Sequence, residues 1–375
     1  MGKKKKDTDI LQISLKGAKK RRDKKRLLHT TVEPVQLQKT KTVGQLLDQY
    51  ASMSIQARNL GQCAQVFDHM LRDKQRPTIF LGLAGPLIAG GLRQVICDMI
   101  QQGLVDVIVS TGAILYQDLY TARGYRMYKG DPQANDAQLR SLYVDRIYDT
   151  YVDEEKFWET DCWVSRFADT LTPGLYSSRA FLSQLGRTIK DPHSIVGIAY
   201  RQGVPIFSPA MNDSSLGIGL TEHYHRTKKS KTPRVVIDSI RDNYEITQIV
   251  VQSKKTAAIY IAGGVPKNYI NDAVVMSYIF GRDTGGHQYA FQITTDAPHW
   301  GGLSGSTLKE ATSWGKVNQQ ATTAMAFIEP TVGLPLVVAH ALEKKSYKQR
   351  KPLSFMWEND ELISISQKKH GKQKK

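Results

Sequence analysis

The chain of 375 residues has little of several things. It has three cysteines, Cys63, Cys97 and Cys162, far apart and with no CxxC spacing. That argues against a disulfide scaffold and a Cys-rich zinc site, and fits a reducing cytoplasm. No apolar run reaches 18 residues, so no membrane-spanning helix is expected. The basic N-terminus lacks the apolar stretch of a signal peptide. There is no internal repeat, no low-complexity linker and no GxGxxG. What remains is ordinary globular composition, 41% hydrophobic and 23% charged. Length alone suggests about two domains and leaves one large α/β domain open.

Acidic residues are also scarce, and the imbalance is local. The formal charge is +17, of which residues 1–26 carry +9 and residues 368–375 carry +5, leaving +3 between them. Such like-charge runs repel and stay extended. The expected organisation is a basic disordered extension over 1–30, an α/β domain over 31–352 and a C-terminal segment with a basic tail over 353–375. Polyanion binding by the ends would be incidental, by counterion release without sequence readout. No interleaved aromatics or nucleic-acid motif accompany the charge.

The body repeats one theme: a short apolar run, a glycine turn, then a helical stretch. Strands are expected at Thr78–Leu83, Val105–Ser110, Val204–Phe207, Ala257–Ile261, Tyr289–Ile293 and Thr322–Phe327. Helices are expected at Leu87–Gln101, Lys267–Phe280, Thr307–Lys316 and Leu334–Lys344. Alternation of this kind predicts a Rossmann-like parallel sheet with helices on both faces. Ligands of such sheets bind beyond the strands' C-terminal ends. The small residues fall there: Gly82/Gly85, Ser110-Thr111-Gly112, Ser214-Ser215, Gly263-Gly264 and Gly301-Gly302. Glycines let backbone N–H groups approach phosphate. This pattern alone ranks a nucleotide-binding enzyme only slightly above an α/β protein of unknown ligand.

The richest stretch is Thr294 to Lys316. A helix start is expected near Ser306 or Thr307, with Glu310 three residues after Thr307 as in a capping box. Glu310 and Trp314 stand four apart and share a helix face. Gly315 ends the helix and presents Lys316. Such a lysine can be a nucleophile once desolvated, or merely a surface cation at a helix C-terminus. Spacing alone favours the second.

Ser313-Trp314-Gly315-Lys316, preceded by Glu310-Ala311, resembles the active-site motif of the deoxyhypusine synthase family. Leu92-Arg93, Ser208-Pro209-Ala210 through Asp213-Ser214-Ser215-Leu216-Gly217, and Gly263-Gly264-Val265-Pro266-Lys267-Asn268 agree in order over residues 40–345. The resemblance implies a deoxyhypusine synthase-type fold, NAD as cofactor and a homotetramer with active sites between subunits. It implies removal of hydride from a polyamine and transfer of an aminobutyl group through a Schiff base on Lys316. Lys316, Glu310 and Trp314 match the catalytic lysine, polyamine carboxylate and aromatic wall. Ser110, Thr111, Gly112, Asp213, Gly263, Gly264, Thr295, Asp296 and Glu329 fall where the family holds NAD. Asn268, Gly301 and Gly302 fall at the amine site with Glu310 and Trp314.

Several positions depart from the eukaryotic pattern: Ile218, Leu303, Tyr116 and Gln117 replace acids, and Asn268 replaces a histidine. These changes, with Arg146-Ile147-Tyr148-Asp149 and Asp153-Glu154-Glu155, resemble the bacterial deoxyhypusine synthase-like branch. The expected donor is a polyamine and the expected acceptor a small amine, as in homospermidine formation. The alternatives are modification of a lysine on a translation factor, or a non-catalytic homologue whose basic ends bind polyanions. No metal is expected. His223-Tyr224-His225, read on a strand, would point to opposite sides. Asp153-Glu154-Glu155 reads as a solvated helix start, Cys162 as core, and Lys267 as a phosphate contact or a solvent-exposed side chain.

Overall fold

A computed structural model describes residues 18–368. Six parallel strands form the central sheet: β1 (Thr78–Leu83), β2 (Val107–Ser110), β3 (Ile206–Phe207), β4 (Thr256–Ile261), β5 (His287–Thr294) and β6 (Val317–Phe327). Their spatial order is β6-β5-β4-β1-β2-β3. The chain therefore starts in the middle, builds outward to β3, and returns to build the other half. The reversal lies between β1 and β4, where Leu83 pairs with Ile261.

Strands β1 to β4 are mostly apolar and buried because both faces are covered, whereas edge strand β6 exposes Gln319, Gln320, Thr322 and Thr323. Ile79, Leu81 and Leu83 of β1, with Ala257, Ile259 and Ile261 of β4, face helices Ile55–Arg72, Arg93–Gln101 and Pro330–Lys344. The alternate residues Phe80, Ala258 and Tyr260 pack on helices Ser239–Gln252 and Gly264–Ile279. Each fully buried Ile, Leu or Phe contributes about 1.5–3 kcal/mol. The expected fold class is therefore the one observed.

Element boundaries differ for local reasons. Residues 87–92 form turns, with Gly91 at φ 88°, so the expected helix begins at Arg93. β2 begins at Val107; Asp106 just before it still donates its N–H to the Ile79 carbonyl, and its carboxylate takes two arginines. The helix expected from Leu334 begins at Pro330, whose missing N–H is harmless at a first turn. His223 and His225 lie on helix Ser215–Ser230, not a strand. His223 is buried: Nδ1 contacts Asp169 at 2.8 Å, and Nε2 accepts from the Val235 N–H at 3.2 Å. Cys162, expected in the core, is exposed. Asp153 caps helix Glu154–Asp169 by accepting from the Lys156 N–H, and Glu154 and Glu155 suit its positive end. Arg146 and Ile147 end strand Val144–Ile147, and Tyr148-Asp149 turn into the antiparallel strand Thr150–Asp153.

At the ends, Ala18–Leu27 is a fully exposed helix within the stretch expected to be disordered. Residues 1–17 and 369–375, which hold much of the expected basic extension and tail, lie outside the described residues. Strands Leu353–Glu358 and Glu361–Gln367 form a hairpin against the body; Gln248 on helix Ser239–Gln252 accepts from the Leu362 N–H at 2.8 Å. Among the described residues, no helix is long and apolar enough to cross a membrane.

Candidate active site

The carboxyl ends of the strands form one edge. Ala84 N–H donates to Ile261, Thr111 N–H to Leu83, and Ala262 N–H to Ile293. Helices starting at Arg93, Gly112, Ser215 and Gly264 open at this edge, and none is capped by the side chain of its own N-cap residue. Their leading N–H groups suit anionic oxygens.

Most of the residues expected to hold a cofactor lie on this edge, in two groups. In the first, the loops after β2 and β3 close on each other. A Cβ on Gly112 would stand 2.2 Å from Ser214 Oγ, so glycine is required there. Ser110 is buried and Asp213 exposed. Asp213 lines a cleft of about 420 Å³ with Tyr116, Gln117, Phe157, Ser214 and Ile218. Three of the departures from the eukaryotic pattern thus meet in one cleft. Behind it, burial pushes the Asp161 carboxyl up to about 6, against a hydrogen bond from Tyr116.

The second group lies on the loops after β4 and β5. A Cβ on Gly263 would stand 2.5 Å from Ser304 Cα, and Gly264 (φ 59°) donates its N–H to Ser304 Oγ at 3.0 Å. Thr295 is exposed, and Asp296 Oδ1 accepts from the Ala297 N–H at 3.1 Å. Gly302 sits against Asp296 Oδ2, and Gly301 turns at φ 72°. Glu329 begins the helix after β6 and accepts from the Thr331 N–H at 2.8 Å, so one carboxylate oxygen serves its own helix.

The segment with Lys316 forms a shorter helix than expected, Leu308–Ser313. Thr307 caps it by accepting from the Glu310 N–H at 3.0 Å. Trp314 is its last, half-helical residue and Gly315 reverses the chain at φ 69°. Tyr278 Oη donates to the Gly315 carbonyl at 3.0 Å and fixes the turn. Lys316 emerges with only 16% of its side chain exposed. Its Nζ lies 5.3 Å from the Trp314 ring centroid, 3.4 Å from Asn268 Oδ1 and 3.2 Å from Asp272 Oδ1. Lys316, Trp314 and Asn268 therefore meet. Glu310 is exposed on the helix before them.

Lys267 departs from both expected roles. It is 1% exposed and donates to Gln292 Oε1 at 2.9 Å, to the Ser306 carbonyl and Oγ at 2.5 and 2.9 Å, and to the Leu303 carbonyl at 3.3 Å. It anchors the loop that covers Gly263. Burial lowers its pKa to about 8; Glu310 and Asp296 oppose the shift, and the Lys316 charge adds to it.

A family model described as deoxyhypusine synthase matches residues 45–341. The chain belongs to the deoxyhypusine synthase family. It is 43% identical over 336 residues to "Probable deoxyhypusine synthase 2" of Methanosarcina acetivorans, covering 88% of this chain and 95% of that protein. It is 44% identical over 316 residues to a "Deoxyhypusine synthase-like protein" of Chlorobaculum parvum, covering 83% and 89%. A crystal structure of a putative deoxyhypusine synthase from Entamoeba histolytica superposes with TM-score 0.56 at 18% identity, over 83% of this chain and 97% of that one, which shows the shared fold. Membership relates the chain to aminobutyl transferases, and the deoxyhypusine synthase family is generally NAD-dependent. Sequence reasoning missed Asp272, although its position four residues after Asn268 on a helix was the available signal.

Proposed function

We propose that the protein is an NAD-dependent transferase. It moves an aminobutyl-type group from a polyamine to an amine acceptor through a Schiff base on Lys316, and the acceptor is a small amine. The observation that carries this reading is the seat of Lys316: a mostly enclosed ammonium beside an indole face, an amide and a carboxylate.

The sheet edge suits NAD. The uncapped helix start after Ser110 offers N–H groups to a pyrophosphate, Gly263 and Gly264 line the same edge with the Gly264 N–H held by Ser304, and Asp213, Asp296 and Glu329 offer carboxylates to ribose hydroxyls. Thr295 stands on the same edge. Bound there, NAD would accept hydride from the amine carbon and later return it. The protein's own part is binding and nucleophilic attack. Trp314 supplies a wall for an aliphatic ammonium stem, and Glu310 a carboxylate for its far end. Gly301 and Gly302 shape the loop opposite. Ile218, Gln117 and Tyr116 leave few anions for a triamine, which favours a shorter, less charged amine such as putrescine. By family analogy the working form is a homotetramer with sites between subunits.

Modification of a protein lysine is the second reading, favoured by the printed name of the archaeal relative. One experiment addresses both. The protein is incubated with NAD and putrescine, spermidine or homospermidine, reduced with borohydride and mapped by mass. The expected result is an increment on Lys316, absent in Lys316→Ala, and transfer to free amine. Transfer only to a translation-factor lysine would select the second reading. No adduct with any of the three amines would reject the transferase.

A further inference from the structure

We infer that Asp272 is the catalytic base that takes the proton from Lys316. This rests on the transferase reading and assigns one of its missing roles. An ammonium has no lone pair, so Lys316 must lose a proton before it can attack carbon. The matching family position for a histidine holds Asn268, and an amide does not take up a proton near neutral pH. Trp314 offers only an N–H donor and Lys267 is itself a cation. Asp272 is the carboxylate in direct contact, 3.2 Å from Lys316 Nζ.

The geometry also orients it. Asn268 and Asp272 lie one turn apart on helix Gly264–Ile279. Asn268 Nδ2 donates to Asp272 Oδ2 at 2.9 Å, which leaves Oδ1 for Lys316. Asn268 Oδ1 accepts from Lys316 Nζ at 3.4 Å. The amide thus grips both partners and is a positioning residue.

The pair is a resting state with a built-in release. Asp272 is 39% exposed, so water supports both charges while the site is open. An amine lying over Trp314 would displace that water. A desolvated ion pair loses more than a neutral pair, so closure favours moving the proton to the carboxylate. Lys267 feels the charges of Lys316, Glu310 and Asp296. Lys267 repels the Lys316 cation and so favours the same transfer.

The step balances. Asp272 accepts one proton from the Lys316 ammonium. The freed lone pair forms a C–N bond to the iminium carbon of the oxidised amine. A proton shifts from the Lys316 nitrogen to the departing nitrogen, whose C–N bond breaks, leaving Lys316 as the iminium. The departing amine collects the proton held by Asp272. No oxidant is needed beyond the NAD already proposed.

The test uses the full-length protein with Asp272→Asn and Asp272→Glu. Three quantities are read: NADH formed with putrescine, the borohydride-trapped adduct rate on Lys316 across pH, and reductive methylation of Lys316 by formaldehyde in the free protein. For Asp272→Asn the expected result is an adduct rate at least about 100-fold lower at neutral pH, with recovery as pH rises, and a much smaller fall in NADH formation. Methylation should be several-fold faster, because an ammonium no longer paired with an anion sheds its proton more easily. Asp272→Glu should regain part of the adduct rate. An unchanged adduct rate and pH profile, unchanged methylation, or equal loss of NADH and adduct would each overturn the assignment. Absence of both NADH and adduct in the unaltered protein would instead reject the transferase reading, and this base with it.

Discussion

Two buried charges sit at opposite ends of the central sheet, and they are treated differently. Asp106, before β2, is 4% exposed and receives both Arg76 and Arg350, with Arg76 at 2.7 and 2.8 Å. Burial would raise its pKa, but Arg350 and Arg76 outweigh burial and hold it below the usual carboxylate range. Lys267, beyond β4, is equally buried but touches only neutral oxygens, and its pKa falls to about 8. The amino end of the sheet pairs its carboxylate with two guanidiniums and ties distant segments together. The carboxyl end tolerates a poorly compensated charge that fixes a loop over the site. Stability and chemistry are thus divided between the two ends.

The largest effect expected from breaking that division is at the amino end. Asp106→Ala strands two buried guanidiniums and should cost about 3–5 kcal/mol. Denaturant midpoints would measure it, with the adduct rate of the folded fraction unchanged. A loss under about 1 kcal/mol would mean the arginine clamp does not stabilise this end.

A second effect at the same end depends on pH. His287 opens β5 and is fully buried, with Nδ1 2.8 Å from Thr256 Oγ1. Burial lowers its pKa to about 4. The native state keeps it neutral while the unfolded chain binds a proton below about 6.5, so stability falls as pH drops from about 6.5 to about 4. The loss is about 3 kcal/mol over that window. His287→Gln should remove this increment, seen as a shallower fall in urea midpoint between those pH values. An equal fall in both proteins would show that other groups govern acid lability.

The same contrast explains what could be read from the chain. Strands buried on both faces show as near-continuous apolar runs such as Thr78–Leu83, and the glycine turns mark the edge beyond them. Gly112 and Gly263 are legible because close backbone approach admits nothing larger. Lys316 was legible through its motif. Asp272 was not, because an acid half-way along a helix is ordinary until the fold brings Lys316 to it. Lys267 was misread for a related reason: a lysine in a first helical turn normally faces water, but the 301–306 loop folds over this one. The side that Cys162 faces depends on helix orientation, which local composition does not encode, and the histidine pair lies on a helix where the sequence is read as strand.

Lys267 gives the sharpest test of the comparison and the smallest expected change in stability. Lys267→Met removes a buried cation together with its hydrogen bonds to Gln292, Leu303 and Ser306. The lost bonds and the relieved desolvation nearly offset, so stability at pH 7 should move by no more than about 1 kcal/mol. The pH dependence carries a sign. The native lysine loses its proton near 8, whereas the unfolded one holds it to about 10.5, so the native protein gains stability as pH rises between those values. The Met variant should lack that gain. Its 301–306 loop, released from its anchor, should exchange amide hydrogens faster, and the Lys316 adduct rate should fall at least about tenfold. A large stability loss with normal adduct formation would make Lys267 a framework residue like Asp106 and erase the distinction between the two ends.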